Sequence, residues 1–211
     1  MKHVVLLGDS VFDNAAYVGG GPDVVQQLQE RLPAGWRASL KAVDGSVTTD
    51  VHRQADQLPN GASHLIVSVG GNDALGHAGI LSESARSTAE VLSKLAYIGD
   101  RFEREYRLML ETVLSHRLAV AICTIYYPDF PDPQLQRIAV TALTVFNDCI
   151  IRLAFLHGLP LLDLRLICNE TEDYANPIEP SVRGGEKIAA AIVRLLTEHD
   201  FERRRTEVFI A

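Results

Sequence analysis

The feature that most constrains this chain is a regular alternation between short apolar runs and longer segments of helical periodicity. A short run that is apolar at nearly every position is typical of a strand buried on both faces of a sheet. Such runs lie at residues 3–7, 36–43, 64–69, 118–124 and 159–164, and the second of them is more mixed. Strands separated by helices require crossover connections, which produce a parallel sheet covered by helices on both faces. We therefore predict a three-layer α/β/α domain with about five strands.

Four helical segments are predicted along the chain. The first follows three glycines and has Pro22 at its first position. A long segment over residues 82–116 is predicted to break near Gly99, and apolar periodicity predicts further helices over residues 135–153 and 188–196. The tail, residues 201–211, is a C-terminal extension with three open interpretations. It extends the last helix, forms a small edge strand, or contacts another subunit.

Length and charge limit the possible classes of function. A chain of 211 residues fits one domain over residues 1–211. Because 20 Lys and Arg stand against 27 Asp and Glu, for a net charge of −7, we expect no nucleic acid or membrane partner. No run approaches the roughly 18 consecutive apolar residues of a membrane span. Three scattered cysteines are typical of reduced thiols, which predicts a cytoplasmic protein.

Three short polar motifs follow the first, second and third predicted strands. They are GDS at residues 8–10, DGS at 44–46 and GGND at 70–73. In an open parallel sheet, ligands bind beyond the carboxyl ends of the strands, near the point where the strand order reverses. With the strand order 2-1-3-4-5, the three motifs become neighbours in space. Their convergence predicts a functional site at this edge of the sheet.

Each motif supplies one part of an acyl-transfer site. A serine in a tight turn after a strand, here Ser10, exposes a hydroxyl that can act as a nucleophile. The oxyanion that forms when a nucleophile attacks a carbonyl requires hydrogen-bond donors. The backbone N–H groups of Ser10 and Gly45 and the side-chain amide of Asn72 are three such donors. Since the chain has no phosphate-binding loop and no His or Cys cluster, we predict no cofactor and no metal.

The motifs also resemble a known family. GDSV at 8–11, the glycine of DGS at 44–46 and GGND at 70–73 look like the first three sequence blocks of the SGNH, or GDSL-type, hydrolases. They occur in the family's order and spacing, with Val11 in place of the usual leucine. The resemblance implies a flavodoxin-like fold and an esterase or lipase that hydrolyses an O-acyl or O-acetyl ester of a small molecule. It implies Ser10 as nucleophile, and Ser10, Gly45 and Asn72 as oxyanion hole.

The fourth sequence block departs from the family pattern. These hydrolases carry Asp-x-x-His before the last helix, where the aspartate orients the histidine that serves as general base. Here Asn176 and Glu179 stand in those two positions. Three interpretations stay open: Glu179 is the base, a displaced histidine such as His77 or His52 replaces it, or no efficient base is present. A carboxylate has an ordinary pKa of about 4.3, so Glu179 needs a raised pKa to act as a base near neutrality.

Three further side chains are candidates for substrate binding. Asp9 adjoins Ser10, although tying down the turn through backbone N–H groups is its alternative role. Asn176 lies in the fourth block. Tyr126 follows the fourth strand, together with Tyr127 and Phe130, where these rings either line an acyl pocket or pack within the loop.

The predicted function is therefore that of a serine esterase whose partner is a small-molecule ester substrate. Two other classes share the same fold. One is a weak or inactive relative that binds an acylated or polyol ligand in the same cleft. The other is a flavin- or nucleotide-binding domain, which the missing phosphate-binding loop disfavours. The oligomeric state stays open.

Overall fold

In a computed structural model, which describes residues 1–210, six parallel strands form one central sheet. The strands of this sheet, in chain order, are β1 (Lys2–Gly8), β2 (Trp36–Leu40), β3 (His64–Ser68), β4 (Ala119–Cys123), β5 (Leu161–Leu162) and β8 (Val208–Phe209). Two further strands, β6 (Tyr174–Asn176) and β7 (Glu179–Pro180), form a separate antiparallel hairpin. Their order across the sheet is β2-β1-β3-β4-β5-β8. The parallel α/β architecture and the order of the first five strands are confirmed.

Helices cover both faces of the sheet. The α-helices within the described residues are α1 (Val24–Arg31), α2 (Val51–Ala55), α3 (Gly71–Gly76), α4 (Thr88–Ser115), α5 (Pro133–His157), α6 (Leu164–Ile167) and α7 (Val182–Glu198). Short 3₁₀ helices lie at Thr48–Asp50, Ala78–Ser82 and Thr171–Asp173. Because α4 and α5 both run from the carboxyl edge of the sheet back to its amino edge, their N-terminal halves stand beside the predicted site.

The sheet separates two apolar cores. Successive residues of a strand point to opposite faces, so Val4 and Leu6 of β1 join one core, and Val5 and Leu7 join the other. Helices α1, α6 and α7 cover the first core, and α2, α4 and α5 cover the second. Burial of one such side chain stabilises the fold by about 1.5–3 kcal/mol. The three cysteines are buried and form no disulfide, as predicted.

The tail of the chain adds a strand that the expected count of about five did not include. Val208 and Phe209 form β8, which pairs with β5 at the edge of the sheet. Of the three interpretations of residues 201–211, the small edge strand is the one that the structure shows, and Ala211 lies outside the described residues. Two residues are too few to carry a periodic pattern, so the sequence could not decide between the three interpretations.

Two predicted helix features are wrong. Pro22 is not the first residue of α1, because Asp23 is its N-cap and accepts a hydrogen bond from the Gln26 backbone N–H at 2.8 Å. Nor does Gly99 break α4, which is continuous from Thr88 to Ser115. A Cβ atom at Gly99 would lie 2.6 Å from Val145 Cγ1. Gly99 therefore serves the close approach of α4 and α5, not a helix end.

Helix α5 is long and apolar enough, by length and composition, to cross a membrane. A third of its most apolar stretch is buried inside the protein. The core helix of a globular domain passes the same test. Here α5 contributes Phe146, Ile150 and Leu153 to the second core, and its N-terminal half borders the pocket described below.

Candidate active site

Ser10 stands in a tight turn directly after β1. The strand ends at Gly8, which has φ +126°, and a Cβ atom there would lie 1.7 Å from the Ser68 carbonyl oxygen of β3. Only glycine allows this approach between the two strands. Asp9 Oδ1 then accepts a hydrogen bond from the Val11 N–H at 3.1 Å, which fixes the turn. As a result the Ser10 side chain, 6% exposed, borders a pocket at the carboxyl edge of the sheet.

Of the three predicted oxyanion donors, Ser10 and Asn72 border this pocket, whereas Gly45 is exposed and does not border it. Within residues 1–210, neither the Ser10 N–H nor the Gly45 N–H has a hydrogen-bond partner. Gly45 adopts φ +78°, a conformation that favours glycine. The Asn72 amide donates one hydrogen bond to the Ser46 carbonyl at 2.9 Å and lines the pocket with Ser10. Its second N–H is left for a ligand.

Hydrogen bonds between distant segments hold these loops in place. Gln54 of α2 clamps the end of β1, since it accepts from the Gly8 N–H at 2.7 Å and donates to the Gly8 carbonyl at 2.8 Å. Asp73 accepts from both the N–H and the hydroxyl of Thr48, at 2.9 and 3.0 Å. Asp13 accepts from the Asp44 N–H at 2.9 Å. The sequence did not predict Gln54, because its partner is 46 residues away.

Glu179 lies in β7 and borders the same pocket as Ser10. Its side chain is 7% exposed, and within the described residues its Oε2 atom is buried without a hydrogen-bond partner. Burial raises the pKa of Glu179, hydrogen bonding from the Ser10 hydroxyl lowers it, and the charge of Asp44 raises it further. The net effect is a raised pKa, which makes this carboxylate a better base than an exposed one.

Two buried side chains hold the strand that carries Glu179. The Tyr126 hydroxyl donates to the Ile178 carbonyl at 2.5 Å, while its ring borders the pocket. The Asn14 amide donates to the Pro180 carbonyl at 3.3 Å. The residues on both sides of Glu179 are therefore tied to the body of the domain. Tyr126 was predicted as a substrate-binding residue; Asn14 was not predicted.

Asp9 is buried beneath the site, 3% exposed. Burial raises its pKa to about 8, the hydrogen bond from the Val11 N–H opposes this, and the charges of Glu179 and Asp73 raise it further. Asp9 is consequently protonated and uncharged at neutral pH.

Of the other predicted site residues, His77 borders the pocket, whereas His52 and Asn176 do not. His77, the C-cap of α3, borders it. The His52 Nδ1 atom instead lies 2.8 Å from the Thr112 hydroxyl oxygen, near the end of α4 that leads to the opposite edge of the sheet. Asn176 is exposed, and its side-chain oxygen accepts the Ile178 N–H at 3.0 Å within the hairpin turn. It does not border the pocket, so its prediction as a substrate-binding residue gains no support from this geometry.

The pocket itself is an apolar cavity of about 310 Å³. It extends from Ser10 and Glu179 to the N-terminal halves of α4 and α5, where Ile98, Ala142 and Phe146 border it. Volumes of this size, lined by apolar side chains with a few polar groups at one end, are typical of small-ligand sites. The polar end here is the one that carries the serine.

The fold and the site together define a class of protein. A parallel sheet that presents a serine with an unpaired backbone N–H and a side-chain amide on one pocket at its carboxyl edge has parts that acyl transfer requires. A sequence model of the GDSL-like lipase/acylhydrolase family matches residues 6–186. The chain belongs to this family and is thus an ester-bond hydrolase by family. No curated protein sequence matches it significantly.

Solved structures share the fold over almost the whole chain. The lipase/acylhydrolase of Enterococcus faecalis has a TM-score of 0.67 and 19% identity, with 93% of this chain and 95% of that chain covered. The extracellular lipase of Streptomyces rimosus has a TM-score of 0.62 and 17% identity, covering 95% and 100%. The psychrotrophic esterase EstA of a Pseudoalteromonas species has a TM-score of 0.58 and 16% identity, covering 93% and 99%. At these identities the likeness concerns the fold.

Proposed function

We propose that the protein is a serine esterase that hydrolyses an O-acyl or O-acetyl ester of a small molecule through an acyl-enzyme. The observation that carries the proposal is that Ser10, Asn72 and Glu179 border one pocket. They come from three separate segments, at the end of β1, in α3 and in β7. A nucleophile, a donor for the oxyanion and a group able to take a proton are the parts that acyl transfer requires.

In the first half of the reaction, Ser10 Oγ attacks the carbonyl carbon of the ester and its proton passes to the Glu179 carboxylate. The oxyanion accepts hydrogen bonds from the Ser10 and Gly45 N–H groups and the Asn72 amide. The C–O bond to the alcohol then breaks, and the alkoxide takes the proton from Glu179. The acyl group stays on Ser10 as a new ester.

In the second half, a water molecule attacks this ester while Glu179 takes a proton from the water. The bond to Ser10 Oγ breaks, Ser10 recovers a proton from Glu179, and the carboxylic acid leaves. Glu179 thus takes over both proton transfers for which the family uses a histidine. Because a carboxylate is a weaker base than an imidazole, we expect a slow esterase.

The proposal is tested by labelling and by hydrolysis. Wild-type protein is incubated with a fluorophosphonate and digested, and the modified peptide is identified by mass spectrometry; hydrolysis of p-nitrophenyl butyrate is measured in parallel. We expect an adduct on Ser10 and hydrolysis in the wild type, and neither in Ser10→Ala. Ser84→Ala, an exposed serine, is the matched control and should behave as the wild type. A folded wild type that forms no adduct and hydrolyses no ester would favour the ligand-binding alternative.

A further inference from the structure

We infer that the apolar pocket beside Ser10 binds a medium-length acyl chain, and that Ala139 and Ala142 of α5 determine the accepted length. The inference rests on the proposed esterase function, which it deepens. It depends on three properties of the pocket: its walls, its position relative to Glu179, and its volume.

The walls of the pocket are apolar and come from the two longest helices. Leu95 and Ile98 of α4 face Ala139, Ala142 and Phe146 of α5 across the cavity. The two helices meet where Val145 lies against Gly99, and the cavity occupies the space between their N-terminal halves. Such a surface offers a substrate apolar contact and no ion pair, which suits a hydrocarbon chain.

The position of Glu179 distinguishes the acyl side of the substrate from the alcohol side. Glu179 must return its proton to the leaving alcohol, so the alcohol lies on the side of this carboxylate. That side is polar: Asp44 acts on Glu179 through its charge, and the Tyr17 hydroxyl donates to Asp44 at 2.7 Å. The apolar pocket extends the other way, toward α4 and α5. The acyl chain therefore enters the pocket, and a polar alcohol group stays outside it.

The volume of the pocket limits the length of the chain. A water molecule occupies about 30 Å³ in the liquid, and a methylene group is of similar size. A cavity of about 310 Å³ therefore has room for several more methylene groups than an acetyl group contains. An acetyl group would leave most of this space unfilled and would forgo the contact that the walls offer.

The small side chains of α5 keep the space open. Ala139 and Ala142 are three residues apart, which places them on the same side of the helix, one above the other. A larger side chain at either position would project into the cavity in place of the substrate. Thr144, by contrast, is exposed and about 200° around the helix from Ala142. It provides a control position on the same helix.

The test is the dependence of kcat/KM on acyl length, measured with p-nitrophenyl acetate, butyrate, octanoate and decanoate. Each fully buried methylene favours binding by about fourfold, so even partial burial should make octanoate at least ~10-fold better than acetate. We expect Ala142→Phe to lower the ratio of kcat/KM for octanoate or decanoate to that for acetate by at least ~10-fold. Thr144→Phe should leave the profile unchanged. Ala139→Leu replaces Ala142→Phe if that variant does not fold.

A wild type that prefers acetate to octanoate would overturn the inference, and so would an Ala142→Phe variant that loses activity equally on all four esters. A binding measurement distinguishes a failure of this inference from a failure of the proposed esterase function. Neutral octanamide is titrated calorimetrically into Ser10→Ala, with and without Ala142→Phe, and we expect the second change to weaken binding at least ~10-fold. Equal binding to both overturns the inference. Selective binding without hydrolysis of any ester supports the pocket and refutes the esterase.

Discussion

Replacing Asp9 with asparagine is expected to stabilise the protein by an amount that grows as the pH rises. Burial raises the pKa of Asp9 from 3.8 to about 8, and the charges of Glu179 and Asp73 contribute to this rise. The hydrogen bond from the Val11 N–H lowers the pKa but does not cancel the rise. Between these two pH values the folded protein keeps a proton that the unfolded chain releases. Folding is therefore penalised increasingly as the pH rises through this range, and the penalty stops growing above pH 8.

The magnitude follows from the same two values. A difference of one in pKa corresponds to about 1.4 kcal/mol, so over the roughly three pH units from 3.8 to neutrality the penalty reaches about 4 kcal/mol. Asparagine carries no titrating proton and keeps an oxygen for the Val11 N–H. Its buried NH₂ group costs about 1–3 kcal/mol, which leaves a net gain of about 1–3 kcal/mol at pH 7.

The assay is urea unfolding of wild type and Asp9→Asn at pH 5, 7 and 9. The difference in the free energy of unfolding should increase from pH 5 to pH 9. Asp100→Asn, at an exposed position of α4, is the control and should show a small difference of the same size at each pH. An Asp9→Asn effect that is equal at all three pH values would refute the reasoning, because it would mean that Asp9 titrates normally in the folded protein.

Three further predictions concern the oxyanion hole, the strand beside the base and the junction of the long helices. Asn72→Ala should lower kcat for p-nitrophenyl butyrate by about 100- to 1,000-fold, and unchanged hydrolysis by the folded variant would contradict the assignment. Tyr126→Phe leaves the Ile178 carbonyl without its donor and should cost about 1–3 kcal/mol in urea unfolding; an unchanged midpoint would argue against this bond. Gly99→Ala should destabilise the wild type by about 1–3 kcal/mol but stabilise a Val145→Ala background, because the clash is gone there and alanine favours the helix. The same sign in both backgrounds would refute the contact.

The catalytic edge could be predicted because its signals are local in the sequence. Each motif is a few contiguous residues at the end of an apolar run, and the topology of a parallel sheet brings such ends together. The structure places Ser10 and Asn72 on one pocket in this way. The resemblance to the hydrolase family implied the roles of Ser10 and Asn72. The alignment of the fourth sequence block with Asp-x-x-His identified Glu179 as a candidate base.

Contacts between distant segments could not be predicted. Gln54 clamps Gly8, and Asn14 reaches Pro180 across 166 residues of sequence. No periodicity or motif indicates either bond, because the partners are brought together only by the folded chain. For Asn176 the sequence identified the position in the fourth block but not what the side chain does. The Asn176 side chain accepts a hydrogen bond within the hairpin turn, and there is no histidine in this block for it to orient.

The structural role of Gly99 could not be predicted for a related reason. Within a helical pattern it indicates either a break or a close approach of another element. Gly99 belongs to the second case, because Val145 of α5 occupies the space that a side chain would need. The sequence around Gly99 carries no trace of α5, so the choice between the two readings required the structure.

The last prediction concerns Glu179 and asks whether this residue accepts the proton of the serine. Glu179→Gln keeps the size of the side chain but cannot accept a proton, so we expect kcat for p-nitrophenyl butyrate to fall by about 100- to 10,000-fold with the fold intact. In the proposed mechanism the ionised carboxylate of Glu179 is the base, and burial is the main cause that raises its pKa. Wild-type activity should therefore rise with pH through a midpoint above the ordinary pKa of a glutamate.

His77→Gln is the matched control, because His77 borders the same pocket and is the alternative base that the structure leaves near the serine. With Glu179 as base, this variant keeps both its activity and the acid limb of the pH profile. With His77 as base, the outcomes reverse: Glu179→Gln stays active, and His77→Gln loses the activity and the acid limb of the pH profile. If neither substitution changes the rate, neither Glu179 nor His77 accepts the proton. The remaining hydrolysis would then come from the oxyanion donors and from substrate binding. These two effects alone give only part of the usual acceleration of acyl transfer.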